Sequence, residues 1–390
     1  MSEPPSTYLD HGATTPLRPE VAQAMAEARS EPLGNPTGSH RPAQRARRLL
    51  EEARDEVAAQ LGRAPGEIIF TSGGTESANL AVFGVLGAAV RHGRTAAVVC
   101  SAVEHPAVRE SCRAAARSLA VTCAELPVDR TGSVDVDALP GLLGAETALV
   151  AVMAANNETG VVQPVQRIAD AVRELAGHAR LFTDAVQASA FVDLADLTSG
   201  ADLVALSAHK VGGPVGVGAL AVRPPTDIAP HQHGGGQERE RRSGTQDVVG
   251  AVGLAVALRL ATAERFRTVQ RVGALRDRLA AGLTEIVPGL FRTVPPGVEV
   301  LPGHLHLCLR GIEREELLLA LSERGICASG GSSCASGALE ASYVLAAMGV
   351  PDDVAGGAIR FTLGHDTTTA DIDRALAIVP GVVASLRHDP

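Results

Sequence analysis

Of the 35 lysines and arginines in this 390-residue chain, only Lys210 is a lysine. Arginine stays protonated and is a poor nucleophile, whereas a lysine amine can lose its proton and form an imine. A lone lysine in a chain that otherwise uses arginine for positive charge points to amine chemistry, with chance survival in an arginine-biased composition as the bland alternative. Its setting favours the chemistry. Lys210 closes Ser207-Ala208-His209-Lys210 at the end of an apolar run, and the flexible Gly212-Gly213-Pro214 follows. A second apolar run ends in Asp184-Ala185-Val186-Gln187. A third segment, Phe70-Thr71-Ser72-Gly73-Gly74-Thr75-Glu76-Ser77, joins a strand pattern to a helix pattern. Glycines there allow close backbone approach, and free N–H groups at a helix start can hold a phosphate. Each segment alone is ambiguous. Together an amine, a carboxylate and a phosphate cradle suit pyridoxal 5′-phosphate, with the lysine as Schiff base and the acid on the pyridinium nitrogen.

To bring these groups together, the chain needs strands whose C-terminal ends lie side by side, because ligands of open α/β sheets bind outside those ends. The pattern supplies them. Strand-like runs at Glu67–Thr71, Ala96–Ser101, Ala148–Ala154, Arg180–Thr183, Leu203–Ser207 and Gly218–Val222 alternate with helical stretches at 75–91, 106–119 and 164–176. That rhythm predicts a mostly parallel α/β sheet covered by helices on both faces. A long helix over about 247–286 follows, then a strand at 304–310, a helix at 314–324, a strand near 358–363 and a C-terminal helix near 369–387. We therefore expect a large cofactor domain, 16–257, and a smaller α+β domain made of 1–15 and 258–390.

Composition excludes other classes. Hydrophobic residues at 45% and charged residues at 20% describe a globular chain with a sizeable core, and aromatics at 2% leave that core to Ala, Val and Leu. A net charge of −9 argues against nucleic-acid binding. The basic stretches Arg41–Arg54 and Glu238–Arg242 are interleaved with acids or helical and read as solvated faces. No basic leader and apolar run opens the sequence, and no stretch has membrane-spanning character. The six cysteines form no CxxC pair and no metal spacing, so no metal site is expected, and a reduced, cytoplasmic setting follows.

From Tyr8 to the C-terminal helix the sequence resembles the cysteine desulfurases (the NifS/IscS-like branch) of the class V aminotransferase group, which are fold-type I pyridoxal-phosphate enzymes. The resemblance is carried by Tyr8–Pro16 (YLDHGATTP), Gly34–His40 (GNPTGSH), Thr71–Ser77, Glu104–Val108 (EHPAV) and Asn156–Gly160 (NNETG). It continues through Asp184–Gln187, Ser207–Lys210, Gly234–Thr245 (GGGQERERRSGT) and Ile359–Gly364 (IRFTLG). It implies that the mostly parallel sheet has seven strands, that Lys210 holds the cofactor and moves the Cα proton, and that Asp184 holds the ring nitrogen. Gln187 and Asn157 would bond the ring oxygen or the substrate side. His105 would stack on the ring and carry a proton, although a histidine before a proline also reads as a plain helix cap. Gly74, Thr75, Ser207 and His209 would bind the phosphate, and Thr245 would reach the partner subunit's phosphate in a homodimer with composite sites. Arg360, with Asn35, would clamp the carboxylate of L-cysteine. A charge in so apolar a strand also needs a partner on physical grounds.

The reaction turns on a thiol. Gly325–Gly337 (GICASGGSSCASG) resembles the family's cysteine loop and places Cys334 at the catalytic position. A thiolate there would take the substrate's sulfur as a persulfide, leave alanine, and carry the sulfur to an acceptor protein. Cys327 reads as core, and Cys100, Cys112, Cys123 and Cys308 read as buried small hydrophobes. The chain departs from the family pattern at Gly330, Ser333 and Ala341 around the loop and at Gly212 and Val215 after the lysine. These positions touch loop shape and partner surfaces and leave the acceptor open. A related lyase for selenocysteine or cysteine conjugates, and a non-catalytic scaffold that binds a sulfur carrier, are the alternative readings.

Overall fold

The computed structural model describes residues 6–331 and 342–387. Its centre is a seven-stranded sheet: β1 (Ile68–Thr71), β2 (Ala97–Ser101), β3 (Thr122–Leu126), β4 (Thr147–Ala151), β5 (Arg180–Asp184), β6 (Leu203–Ser207) and β7 (Gly218–Val222). The strands lie in the order β1-β7-β6-β5-β4-β2-β3, and only β7 runs antiparallel to its neighbours. The fold class expected from the sequence is therefore observed. Five of these strands are buried along their whole length because both faces are covered. Along β6, Leu203 and Ala205 belong to one apolar cluster while Val204 and Leu206 belong to the other. A continuous apolar run with no alternation is what two buried faces require.

The edge strand β3 was not legible as a strand. Its sequence, TCAEL, is largely exposed and lacks an apolar run. Cys123 lies on it and is exposed, which corrects the expectation of a buried thiol; Cys100, Cys112 and Cys308 are buried as expected, and Cys327 is half-buried.

Helix α1 (Arg41–Gln60) buries Ala43, Ala46, Leu50, Ala53 and Val57, a spacing of three and four that faces the sheet. Helices α2 (Gly74–Arg91), α3 (Pro106–Ser118) and α4 (Val165–Leu175) fill the crossovers between strands. The long α5 (Val248–Ile286) packs on α1 at its beginning and on the C-terminal α7 (Thr369–Leu386). A second sheet, in the order β10-β9-β8, is built from β8 (Leu290–Arg292), β9 (His304–Leu309) and β10 (Ala358–Thr362), with helix α6 (Arg314–Glu323) beside it. The register sets His304 opposite Thr362 and His306 opposite Arg360. Thr7–Tyr8 pairs with Ile326–Cys327, and Asp10 bridges to Thr362, so the N-terminal segment joins this second layer.

Two stretches that read as solvated faces instead meet in the interior. Arg54 donates from Nη1 to Glu238 at 2.7 Å and to the Ile68 carbonyl at 2.8 Å, and Glu238 also accepts from the Phe70 N–H at 3.0 Å. Both charged side chains are essentially inaccessible, at 3% and 0% exposure. Periodicity alone could not reveal this, because the partners are 184 residues apart. The pair pins a segment in which Glu238, Arg239 and Glu240 all have left-handed backbone, with φ of 47°, 58° and 63°. Such a conformation costs a non-glycine residue about 1–2 kcal/mol, so the segment depends on its anchors. Glu238→Ala is expected to lower the unfolding free energy by about 3 kcal/mol, because it removes the buried counter-ion and leaves the buried guanidinium only the half-exposed Glu51 and the Ile68 carbonyl. Denaturant unfolding measures this, and a loss below about 1 kcal/mol would class the pair with exposed salt bridges.

Candidate active site

The C-terminal ends of β1, β2, β4, β5 and β6 converge on one cavity of about 380 Å³. Gly74, Thr75, His105, Asn157, Asp184, Gln187, Ser207, His209, Lys210 and Arg360 all line it. Asp184 ends β5, and its Oδ1 accepts the Val186 N–H at 3.0 Å. Burial raises its pKa, opposed chiefly by His105. His105 starts α3, and its Nδ1 accepts the Ala107 N–H at 3.1 Å. The helix-cap reading and the site reading of this histidine therefore hold together. A neutral ring that accepts through Nδ1 carries its proton on Nε2, and burial lowers its pKa in spite of Asp184.

Lys210 lies just past β6. Its Nζ donates to the Gly12 carbonyl at 2.6 Å and to the Ala13 carbonyl at 2.8 Å. Gln187 Nε2 donates to the same Gly12 oxygen at 2.7 Å. Burial, followed by repulsion from Arg360, brings the Lys210 ammonium down to about 8. Roughly a tenth of the amine is then neutral at pH 7, where an ordinary lysine is almost wholly charged. His209 falls to about 4 through burial and then the Lys210 charge.

Arg360, on β10, is 3% exposed. Its Nη1 donates to the Asn157 carbonyl at 2.6 Å, and its Nη2 meets Asp10 Oδ1 at 2.8 Å. Asp10 is thus the counter-ion that so apolar a strand demanded, and sequence reasoning did not single it out. Its only signal was an acid inside Tyr8–Pro16, which is 350 residues away. Glu158, also missed, is fully buried, and burial raises its pKa. Ser342 Oγ donates to Glu158 Oε2 at 2.6 Å, and the Gly331 backbone lies against the same side chain.

Asn35 and Thr245 are not brought to this cavity. They line a separate groove together with Pro36 and Gln246, and Asn35 Oδ1 accepts from the Thr37 N–H and hydroxyl. Cys334 lies outside the described residues.

The cavity fits pyridoxal phosphate. Gly73, before α2, has φ 149°, and at Gly74 a side-chain carbon would sit 2.8 Å from Val186, so the cradle excludes anything but glycine. The N–H groups of an 18-residue helix open there, beside Ser207 and Thr75. Asn157 Oδ1 and Arg360 Nε are buried without a partner among the described residues, as groups that await a ligand are.

The chain belongs to the class-V aminotransferase family, whose model matches residues 7–375. Within that family it is similar to the "Cysteine desulfurase IscS" of Dictyoglomus turgidum, at 40% identity over 97% of this chain and 95% of the relative. Among solved structures it superposes on a NifS-like protein with a TM-score of 0.90 at 34% identity, covering 98% of this chain and 100% of the other. It also superposes on SspA in complex with cysteine, with a TM-score of 0.79 at 29% identity, covering 92% and 99%.

Proposed function

We propose that the protein is a pyridoxal-phosphate-dependent L-cysteine desulfurase, which converts L-cysteine to L-alanine and passes the sulfur to an acceptor protein as a persulfide on Cys334. The observation that carries this reading is the single cavity that gathers Lys210, Asp184, His105 and Arg360, in a chain that matches cysteine desulfurases over nearly its full length. Bound in the cavity, the cofactor supplies an electron sink for the carbanion chemistry. Lys210 holds it by its one amine and shuttles the Cα proton. Asp184, ionised, pairs with the protonated ring nitrogen; the positive charge it meets there offsets the burial that raises its pKa in the free chain. Gly74, Thr75, Ser207 and His209 hold the phosphate, while Gln187 and Asn157 bond the ring oxygen.

Arg360 takes the substrate carboxylate through its planar fork, in exchange for its contact with Asp10. The Cys334 thiolate attacks the substrate sulfur, the carbon–sulfur bond breaks, and His105 gives a proton from Nε2 toward the carbon left behind. We assign Asn35 and Thr245 to the partner's cavity in a homodimer, since their groove lies apart from the chain's own site. The large domain comprises 16–257, and 1–15 with 258–390 forms the small one. Among the described residues no helix is long and apolar enough to cross a membrane, and a thiol mechanism suits a reducing cytoplasm.

The test uses protein loaded with pyridoxal phosphate and given L-cysteine with a thiol reductant. Sulfide and alanine are expected in equal amounts. Pyruvate and ammonia in place of alanine would make the protein a different lyase, and absence of any cofactor absorbance after loading would make it a scaffold.

A further inference from the structure

A second, narrow cavity adjoins the proposed substrate cavity, and Gly12, Gln187 and Lys210 line both. His304, His11 and Gly364 also line it. The volume open to water is about 30 Å³, where one water needs roughly 10–15 Å³.

The lining is unusually short of partners. Both ring nitrogens of His304, Nδ1 of His11 and Nε of Arg18 are buried with no hydrogen-bond partner among the described residues. His304 is 3% exposed, and burial keeps its ring neutral, with the Arg360 and Lys210 charges adding to the effect. A neutral imidazole has one donor and one acceptor to satisfy. Buried polar groups in a cavity of this size are satisfied by ordered water.

His11 differs from His304 in one respect. Its Nδ1 lies against Gly364, while its Nε2 contacts Asp366 Oδ1 at 3.2 Å. The His11 side chain is 5% exposed and that of Asp366 51%. The ring, which lines the cavity, thus has one buried nitrogen without a partner among the described residues and the other on a half-exposed carboxylate. Asp366 is held down at about 2, first by its hydrogen bond from His11, so it passes a proton on and does not retain it.

We propose that this cavity is a proton path that connects Lys210 to solvent through His11 and Asp366. The Lys210 ammonium gives a proton to cavity water, and His11 Nδ1 accepts it. The Nε2 proton leaves to the Asp366 carboxylate and from there to bulk water. The reverse sequence returns a proton, so charge balances at each transfer and no co-reactant is needed. The path rests on the proposed role of Lys210 in moving the Cα proton. It matters there because cofactor and substrate fill the substrate cavity, and the lysine must exchange protons through the one that adjoins it.

The test is the isotope content of the product and does not depend on its rate. L-Cysteine is turned over in D₂O and the Cα position of the alanine is read by mass spectrometry. The parent protein is expected to place deuterium there almost completely. His11→Phe, which keeps the ring but removes both nitrogens, is expected to raise retained protium by about threefold or more. Asp366→Asn, at a half-exposed position, should fall between the two. Parent-like isotope content in both variants overturns the path, even where ordered water fills the cavity. A parent protein that releases no alanine sinks the proposed function instead. The path is then judged on a high-resolution crystal structure, in which waters must link the Lys210 side of the cavity to His11 Nδ1; a dry cavity overturns it.

Discussion

Lys210→Arg is expected to lower alanine formation by about 10²- to 10⁴-fold or more, the range lost with a general acid–base group, and to leave the folded protein intact. The substitution keeps a positive charge in the same cavity, so any role that needs only charge survives it. What it removes is a side chain that can be neutral near pH 7 and nucleophilic. Burial already brings the Lys210 amine to about 8, and no comparable displacement makes a guanidinium a base. The same residue allows a check that few proteins offer. Borohydride reduction of the loaded parent should fix the cofactor to a single peptide, the one with Ser207-Ala208-His209-Lys210, since the chain has no other lysine side chain. In the Lys210→Arg variant no side chain should be labelled. Labelling of a different residue in the parent, or parent-like activity of the variant, would remove Lys210 from the reaction.

Much of this site was legible because parallel α/β sheets place their ligands at strand ends, and strand ends can be read one segment at a time. Asp184, Ser207 and Lys210 each follow an apolar run, and Gly73-Gly74 stands between a run and a helix, so local pattern located them. What local pattern cannot give is pairing across hundreds of residues. Asp10 was visible as an acid but not as the partner of Arg360. Arg54 and Glu238 read as two solvated faces, although they form one buried pair. The strand β3 escaped because an edge strand need not be apolar, and its exposed Cys123 followed from the same fact. Asn35 was expected beside Arg360 within one cavity. In the fold it shares a groove with Thr245, apart from that cavity. None of these separations has a signature in composition or periodicity, because each is set by where distant elements pack.

Cys334→Ala is expected to abolish sulfide and alanine release, by about a thousandfold or more, while cofactor loading and the absorbance change on adding L-cysteine remain. The split between the two readouts carries the argument. In the proposed function Lys210, Asp184 and Arg360, which line the cavity, hold cofactor and substrate without the thiol, so binding should survive its loss. In sequence Cys334 is three residues from Gly331, which lines the cavity. Ser342, the first described residue after Cys334, donates to the same Glu158 that Gly331 packs against. Among the described residues no cysteine lines the cavity: Cys100, Cys112 and Cys308 are buried, and Cys123 is exposed on the edge strand β3. Cys327, half-buried and paired with Tyr8, is the control. Cys327→Ala should leave turnover within a small factor of the parent. Undiminished sulfide release from Cys334→Ala would show that the carbon–sulfur bond breaks without a protein thiol, as in a lyase that eliminates sulfide directly.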